Sequence, residues 1–145
     1  MTVGHLEPVL AIEREAFPNP WRRDDFEYAL GRLNGYAAVA CLSSGPVGYA
    51  VGFFVKREFH LANLAIKKEL RRRGLGSAFL EGIITCAKDR GAKAITLEVR
   101  MSNAPAQALY ERAGFSPVAI REKYYSRPRE DALVMIKMLT DIPWP

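Results

Sequence analysis

The sequence predicts an α/β (α+β) fold, a mixed central sheet with helices on both faces, and two observations carry that prediction. After two short helical stretches, the apolar segments come as three successive strand-like runs and then as helix, strand, helix, strand, strand. The apolar period also changes, from the twofold alternation of strands to the 3.6-residue stripe of a helix, at Leu75 and again after Asn103. A length of 145 residues fits one core, and residues 1–145 are expected to form a single domain with no repeat or linker.

In chain order, Leu6, Val9, Leu10, Ile12 and Phe17 recur at helical spacing from His5 to Ala16, and Pro18-Asn19-Pro20 stop the pattern. Phe26, Ala29 and Leu30 mark a second short helix over Asp24 to Leu33, ended near Gly35. Two β-leaning runs, Tyr36 to Leu42 and Val47 to Val55, flank Ser43-Ser44-Gly45-Pro46, which predicts a hairpin with a four-residue loop. Phe59 to Ile66 forms a third strand. Leu75, Phe79, Leu80, Ile83, Ile84 and Ala87 then share a helical stripe, with Gly91 placed to close it. Ala94 to Arg100 alternates Ile95, Leu97 and Val99 against Thr96, Glu98 and Arg100, so it is a strand with two distinct faces. Asn103 is a good N-cap and Pro105 a good first-turn residue for a helix running to Ala113 and stopped by Gly114. Phe115 to Arg121 and Ala132 to Met138 complete the sheet, bracketing a loop with Tyr124, Tyr125 and Pro128.

Composition narrows the function. Apolar residues make up 49% and charged residues 26%, and no apolar run approaches the roughly 20 residues of a membrane span. Met1 to Glu7 lack the basic and apolar regions of an export signal, so the expected location is the cytoplasm, with no membrane partner. Cys41 and Cys86 sit in apolar stretches, where buried free thiols are expected rather than a disulfide framework or a nucleophile. No His, Cys or acidic pair has metal-ligand spacing, and no metal is expected. A net charge of +5 favours an anionic partner without choosing among nucleotide phosphates, RNA and acidic surfaces.

The sharpest local signal is Arg71-Arg72-Arg73-Gly74-Leu75-Gly76, between the third strand and the helix beginning at Leu75. A helix N-terminus presents unpaired N–H groups and the positive end of its dipole, and glycines let backbone approach a diphosphate. No Gly-Lys-Ser/Thr follows, so it is not a P-loop, and it lacks the first glycine of a dinucleotide fingerprint. On spacing alone, a phosphate cradle, a solvated basic face and an RNA-binding patch over Lys67 to Arg73 all stand open.

Arg71-x-x-Gly74-x-Gly76 resembles the pyrophosphate-binding segment of the GCN5-related N-acetyltransferase (GNAT) superfamily. The resemblance extends over nearly the whole chain. Ala16-Phe17-Pro18-Asn19-Pro20-Trp21, Asn63-Leu64-Ala65-Ile66, Leu97-Glu98-Val99-Arg100-x-Ser102-Asn103, Ala108-Leu109-Tyr110-Glu111-x-x-Gly114-Phe115 and Tyr124-Tyr125 with Glu130-Asp131-Ala132 are similar to RimI-type ribosomal-protein alanine N-acetyltransferases. The resemblance implies a mostly antiparallel sheet of about six to seven strands and acetyl-CoA as cosubstrate. It places Leu64, Ala65 and Ile66 along the pantetheine arm like an added strand. It sets Arg71, Arg72, Arg73, Gly74, Leu75, Gly76 and Ser77 around the diphosphate, and Asn103 near the pantetheine in addition to its capping role.

It also implies roles in the chemistry. Attack on a thioester needs a neutral amine, and Glu98 matches the family's base, while Tyr110 matches the acid that protonates the departing thiolate. From spacing alone, Glu98 is an ordinary strand carboxylate and Tyr110 a packing residue beside Leu109. Trp21, Tyr124 and Tyr125 stand equally as walls of a peptide groove or as packing residues. The implied acceptor is a protein N-terminus, typically the alanine terminus of a small-subunit ribosomal protein. A lysine side chain or polyamine is the alternative acceptor, and a non-catalytic RNA-binding module the alternative class. No aromatic lies between Ile66 and Phe79 to stack bases, so no direct nucleic-acid function is expected. Pro18-Asn19 and the short Tyr125-to-Glu130 connection depart from the enterobacterial pattern beside that groove.

Overall fold

The computed structural model describes residues 1–140. Its elements are α1 (Leu6–Ala16), α2 (Arg23–Leu30), β1 (Gly35–Leu42), β2 (Gly45–Val55), β3 (Glu58–Ile66), α3 (Leu75–Asp89), β4 (Ala94–Arg100), α4 (Ala104–Arg112), β5 (Ser116–Ser126) and β6 (Arg129–Met138). They form one six-stranded sheet in the order β1-β2-β3-β4-β6-β5. Every neighbouring pair is antiparallel except β3 and β4, which run parallel. The mixed sheet with helices on both faces is therefore the one expected.

Each face has its own apolar layer. On one side Leu80, Ile83 and Ala87 of α3 and Tyr110 of α4 pack with Phe59, Leu61, Ile95, Leu97 and Met135. On the other, Leu6, Val9, Leu10 and Ile12 of α1 and Phe26 and Ala29 of α2 cover Tyr49, Val51 and Ala65. The alternation of β4 sorts its residues accordingly: Ile95, Leu97 and Val99 are buried, while Thr96, Glu98 and Arg100 face the opposite side.

The decisive feature for function is the junction of β3 and β4. Their pairing consists of Glu58 with Ala94, Phe59 with Ile95 and His60 with Thr96, and it ends there. β3 continues to Ile66 along β2, and β4 continues to Arg100 along β6. The two strands therefore diverge, and the β4-side edge of β3 from Leu61 to Ile66 is left without a strand partner. An unpaired edge accepts an extended chain as if it were another strand.

Several boundaries differ from the sequence expectation. α2 stops at Leu30 because the chain turns into Gly35, where an added Cβ would lie 2.5 Å from the Ala29 carbonyl oxygen. The first hairpin has only Ser43-Ser44 between its strands. Pro46 is tolerated inside β2 because it pairs with the edge strand β1 at an irregularity between Ala40 and Cys41. β5 reaches Ser126, so Tyr124 and Tyr125 lie in a strand rather than a loop. Cys41 is exposed on the edge strand, against the expectation of a buried thiol, and Cys86 is partly buried.

Candidate active site

The loop from β3 to α3 delivers a helix N-terminus to the mouth of the gap. A 3-10 turn at Lys68–Leu70 leads to Arg71, whose Nε donates to the Ile66 carbonyl at 3.0 Å and ties the loop to the end of β3. Arg72 takes a positive φ of 64°, and Gly74, at φ 78°, is the N-cap of α3, with no side chain capping that end. Left-handed backbone at Gly74 costs glycine little and turns the first amides of α3 outward. Arg72, Arg73 and Gly74 are exposed, and Leu75, Gly76 and Ser77 half-buried. A Cβ on Gly76 would meet only Leu109 and Ile66 at ordinary contact distance, so this position tolerates alanine.

On the far side of the gap, Asn103 caps α4 by accepting from Ala106 N–H at 3.2 Å. That satisfies its structural role and leaves its side-chain amide nitrogen free to donate. Leu64, Ala65 and Ile66 line the unpaired edge of β3 between these two helix starts.

Glu98 stands where the strands part. Its Oε2 lies 2.6 Å from His60 Nε2, and Arg121 Nε is 3.6 Å from Oε1. A carboxylate only accepts, so Nε2 carries the hydrogen. This hydrogen bond holds the Glu98 carboxyl below the ordinary carboxylate range, against the opposing effect of burial and with help from the charges of His60 and Arg121. Glu98 is therefore an anion throughout the neutral range.

Tyr110 is 8% exposed and packs edge-on against Phe115 at 5.6 Å. Burial, followed by the neighbouring Tyr125 phenol, pushes its hydroxyl above the ordinary phenol range, so it keeps its proton.

Tyr124 and Tyr125 join the same site. Their rings meet edge to face at 5.0 Å, and both phenols feel the Glu98 charge. Burial above all pushes Tyr125 up to about 12. Between the Arg121–Ala132 and Tyr125–Glu130 pairs, β5 advances four residues and β6 two, so β5 bulges by two residues. Lys123 takes φ 54° at this bulge, and Asp131 accepts its N–H at 2.8 Å. Arg100 holds the hairpin end: its guanidinium stacks 4.1 Å above the Tyr125 ring and donates to the Arg127 and Pro128 carbonyls and to Glu130. Glu130 also accepts from Ser102 N–H at 2.6 Å.

Trp21 is not brought to the tyrosines. Its ring lies 5.1 Å from Phe26, and it lines a separate pocket of about 440 Å³ with Leu10, Arg14, Asn19 and Pro20. Its N–H reaches Glu13, a buried carboxylate that also accepts from Asn63 Nδ2 at 2.7 Å and from the Tyr49 hydroxyl. Burial raises the Glu13 carboxyl above the ordinary range. Sequence reasoning missed both Glu13 and His60. Glu13 had a signal, since it sits on the apolar stripe of α1 one turn beyond Val9 and Leu10; His60 had none, because its meeting with Glu98 depends on strand register. Among the described residues no cluster of three His, Cys, Asp or Glu side chains is arranged to hold a metal ion.

A parting pair of parallel strands with an uncapped helix start at its mouth can hold an extended chain ending in an anion, and Glu98 with Tyr124 and Tyr125 stands at its opening. Residues 6–115 match the Acetyltransferase (GNAT) family model, and the chain belongs to that family. It is an acetyl-CoA-dependent N-acetyltransferase, and this enzyme class displaces the alternative of a non-catalytic RNA-binding module. Within the family the chain is similar to the ribosomal protein bS18-alanine N-acetyltransferases. That of Salmonella typhimurium is 43% identical over 138 residues, covering 93% of this chain and 92% of that protein. That of Escherichia coli K12 is 38% identical over 127 residues, covering 86% and 84%. The crystal structure of the ribosomal-protein-S18-alanine N-acetyltransferase from Escherichia coli superposes with a TM-score of 0.89 at 32% identity, covering 99% of this chain and 93% of that one. Ard1 from Thermoplasma volcanium shares the fold, with a TM-score of 0.91 at 22% identity over 97% of this chain and 95% of that one.

Proposed function

We propose that this enzyme acetylates the α-amino group of a protein N-terminus, the N-terminal alanine of a small-subunit ribosomal protein, in the cytoplasm and by direct transfer from acetyl-CoA. The observation that carries the proposal is the parting of β3 and β4 beyond Thr96, with Glu98 at the opening, Tyr124 and Tyr125 within reach of its charge, and Tyr110 next to Tyr125. The names of the similar bacterial enzymes support the choice of acceptor.

In this reading the diphosphate sits against the amides of Gly74 to Ser77, with Arg72 and Arg73 at its rim and Arg71 bracing the loop. The pantetheine arm lies along Leu64, Ala65 and Ile66, and the Asn103 amide donates to it. The acceptor enters from the face that carries Glu98, between the Tyr124–Tyr125 hairpin and α2, while Trp21 acts only through the α1–α2 segment.

An N-terminal ammonium has an ordinary pKa near 7.7–8.0, so a fraction of order a tenth is neutral at pH 7. Glu98 is too weak a base to capture the proton outright, since the transfer is uphill by at least about 4 kcal/mol. It works instead as an anion that draws the ammonium in and orients a water through which the proton leaves. The amine lone pair then attacks the thioester carbonyl carbon, the C–S bond breaks, and the second amine proton departs by the same route. Tyr110 gives its proton to the coenzyme A thiolate and regains one from solvent. Burial keeps that phenol protonated until the thiolate forms; because it also makes the proton harder to give, the transfer is drawn forward by release of the thiol and reprotonation of the phenol from solvent.

The experiment is incubation with acetyl-CoA and three acceptors, an alanine-ended peptide, a lysine peptide with a blocked terminus, and spermidine, read by mass spectrometry. The proposal expects +42 Da (~1 acetyl) on the first and at least about tenfold slower reaction on the others, whose amines have ordinary pKa values near 10.4 and are far less often neutral. Faster reaction with the lysine peptide or spermidine would overturn the assignment of acceptor, and a Tyr110→Phe enzyme with full turnover would remove Tyr110 from the mechanism.

A further inference from the structure

We propose that His60 is the positioning residue of Glu98: its Nε2–H fixes the carboxylate in the orientation that serves the acceptor amine. This inference rests on the role of Glu98 proposed above and names the side chain that makes it effective.

The fold sets up the pair. Phe59 and Leu61 point into the α3 layer, so His60 between them points to the opposite face, the one that carries Thr96 and Glu98. His60 and Thr96 form the last paired position before the strands part, and Glu98 lies two residues further along β4. The imidazole thus stands at the edge of the gap and reaches Glu98 at its opening.

Of the two contacts on this carboxylate, only His60 is short enough to fix it. The Nε2 to Oε2 distance is 2.6 Å, whereas Arg121 is 3.6 Å away on a side chain 60% exposed, too loose and too solvated to hold one orientation. Because His60 occupies Oε2, the Oε1 end remains available on the acceptor side. The Glu98 side chain is 11% exposed and that of His60 is 35% exposed. His60 also lines a pocket of about 400 Å³ with Tyr28, Arg32, Asn34, Phe53 and Val55, which gives solvent a route to the ring from the side away from Glu98.

The groups around the ring are otherwise engaged. Arg32, just beyond α2, bonds to Tyr28, Asn34 Nδ2 donates to the Phe54 carbonyl, and Glu58, next on the same face of β3, accepts from the Thr96 hydroxyl at 2.7 Å. From β5, Arg121 and Tyr124 face Glu98 rather than the ring.

Two variants test this. In His60→Gln the amide nitrogen can stand where Nε2 stands and donate the same hydrogen bond, whereas His60→Ala removes the donor. The assay is acceptor kcat/KM from pH 6 to 9, on whichever amine the wild type acetylates, with acetyl-CoA affinity measured by calorimetry. His60→Ala is expected to lose roughly 30- to 100-fold, the scale of a misplaced catalytic group, with acetyl-CoA affinity within about twofold of wild type. His60→Gln, the conservative donor, is expected to recover to within about fivefold of wild type. An alanine variant as active as wild type at every pH, or a glutamine variant no better than alanine, would each overturn the inference. If the alanine variant does not fold, His60→Leu, which fills similar space without a donor, takes its place with the same loss expected. Glu98→Gln is run in parallel: full activity there sinks the role of Glu98 itself, whereas loss there with no effect at His60 sinks only the present inference.

Discussion

Replacing Glu13 by alanine should destabilise the protein far more than replacing it by glutamine. Glu13 is 1% exposed, and its two oxygens divide three donors: Oε1 takes Trp21 N–H and Asn63 Nδ2, and Oε2 takes the Tyr49 hydroxyl. Alanine orphans all three. The Tyr49 hydroxyl is on a fully buried side chain and should cost the whole penalty of about 1–3 kcal/mol, while the two part-buried donors can recruit water and cost about 0.5–1.5 kcal/mol each. We expect a loss of about 4 kcal/mol, which at roughly 3 °C per kcal/mol for a chain of this size lowers Tm by about 12 °C. Glutamine can keep Oε1 in place and turn its NH2 toward Tyr49 Oη, which accepts once its own hydrogen swings away, so the same contacts survive without a buried charge; its loss should stay under about 1.5 kcal/mol. The pH dependence has a fixed sign. Because burial raises the folded pKa of Glu13, the folded state holds this proton more tightly than the unfolded chain, so the contribution is greatest below the ordinary carboxylate pKa and is lost as pH rises through the folded value. The glutamine variant should therefore gain on wild type as pH increases. Thermal denaturation followed by circular dichroism at pH 5 and pH 8 measures both effects. A drop in Tm under about 4 °C for alanine, or a glutamine variant as damaged as alanine, would refute the reasoning.

Glu98→Gln should lower kcat by roughly 10²-fold or more, at the low end of general acid–base effects, with acetyl-CoA affinity unchanged by calorimetry. Since His60 holds the Glu98 carboxyl down, loss of activity through protonation of Glu98 itself should appear only below the ordinary carboxylate pKa. Arg100→Lys, which gives up both the stack on Tyr125 and the forked donation to the hairpin turn, should raise the KM for an acceptor peptide about tenfold while leaving that for acetyl-CoA alone; equal changes in both would contradict the assignment of this hairpin to the acceptor. Gly74→Val, forced to a φ of 78° that a β-branched residue resists, should weaken acetyl-CoA binding, whereas Gly76→Ala should bind within about threefold of wild type, as titration calorimetry can show.

The parts of the fold legible in the sequence were those with a one-dimensional signal. β4 follows from the alternation of Ile95, Leu97 and Val99, α3 from its stripe and from Gly91, and α4 from Asn103 and Gly114, all at nearly the observed boundaries. β5 was truncated in the expectation because most of its residues are exposed and its tyrosines lie beyond a two-residue bulge that breaks alternation. Trp21 packs against Phe26 and also lines a pocket between α1 and α2, so both of its sequence readings, packing residue and groove wall, stay open. Glu98 and Tyr110 were reached through family resemblance, and the structure adds what resemblance did not supply: the anion beside His60 and the buried phenol beside Tyr125. Those pairings depend on which residues of distant strands end up opposite one another, and local pattern carries no record of register.

The account turns on coenzyme and acceptor meeting where β3 leaves β4. A crystal structure with coenzyme A and an alanine-ended peptide tests this most directly. The diphosphate is expected on the amides of Gly74 to Ser77, the pantetheine along Leu64 to Ile66, and the peptide amine joined to Glu98 directly or through one water, with the coenzyme sulfur near the Tyr110 hydroxyl. A coenzyme bound elsewhere, or a peptide amine on the far side of the sheet from Glu98, would contradict it.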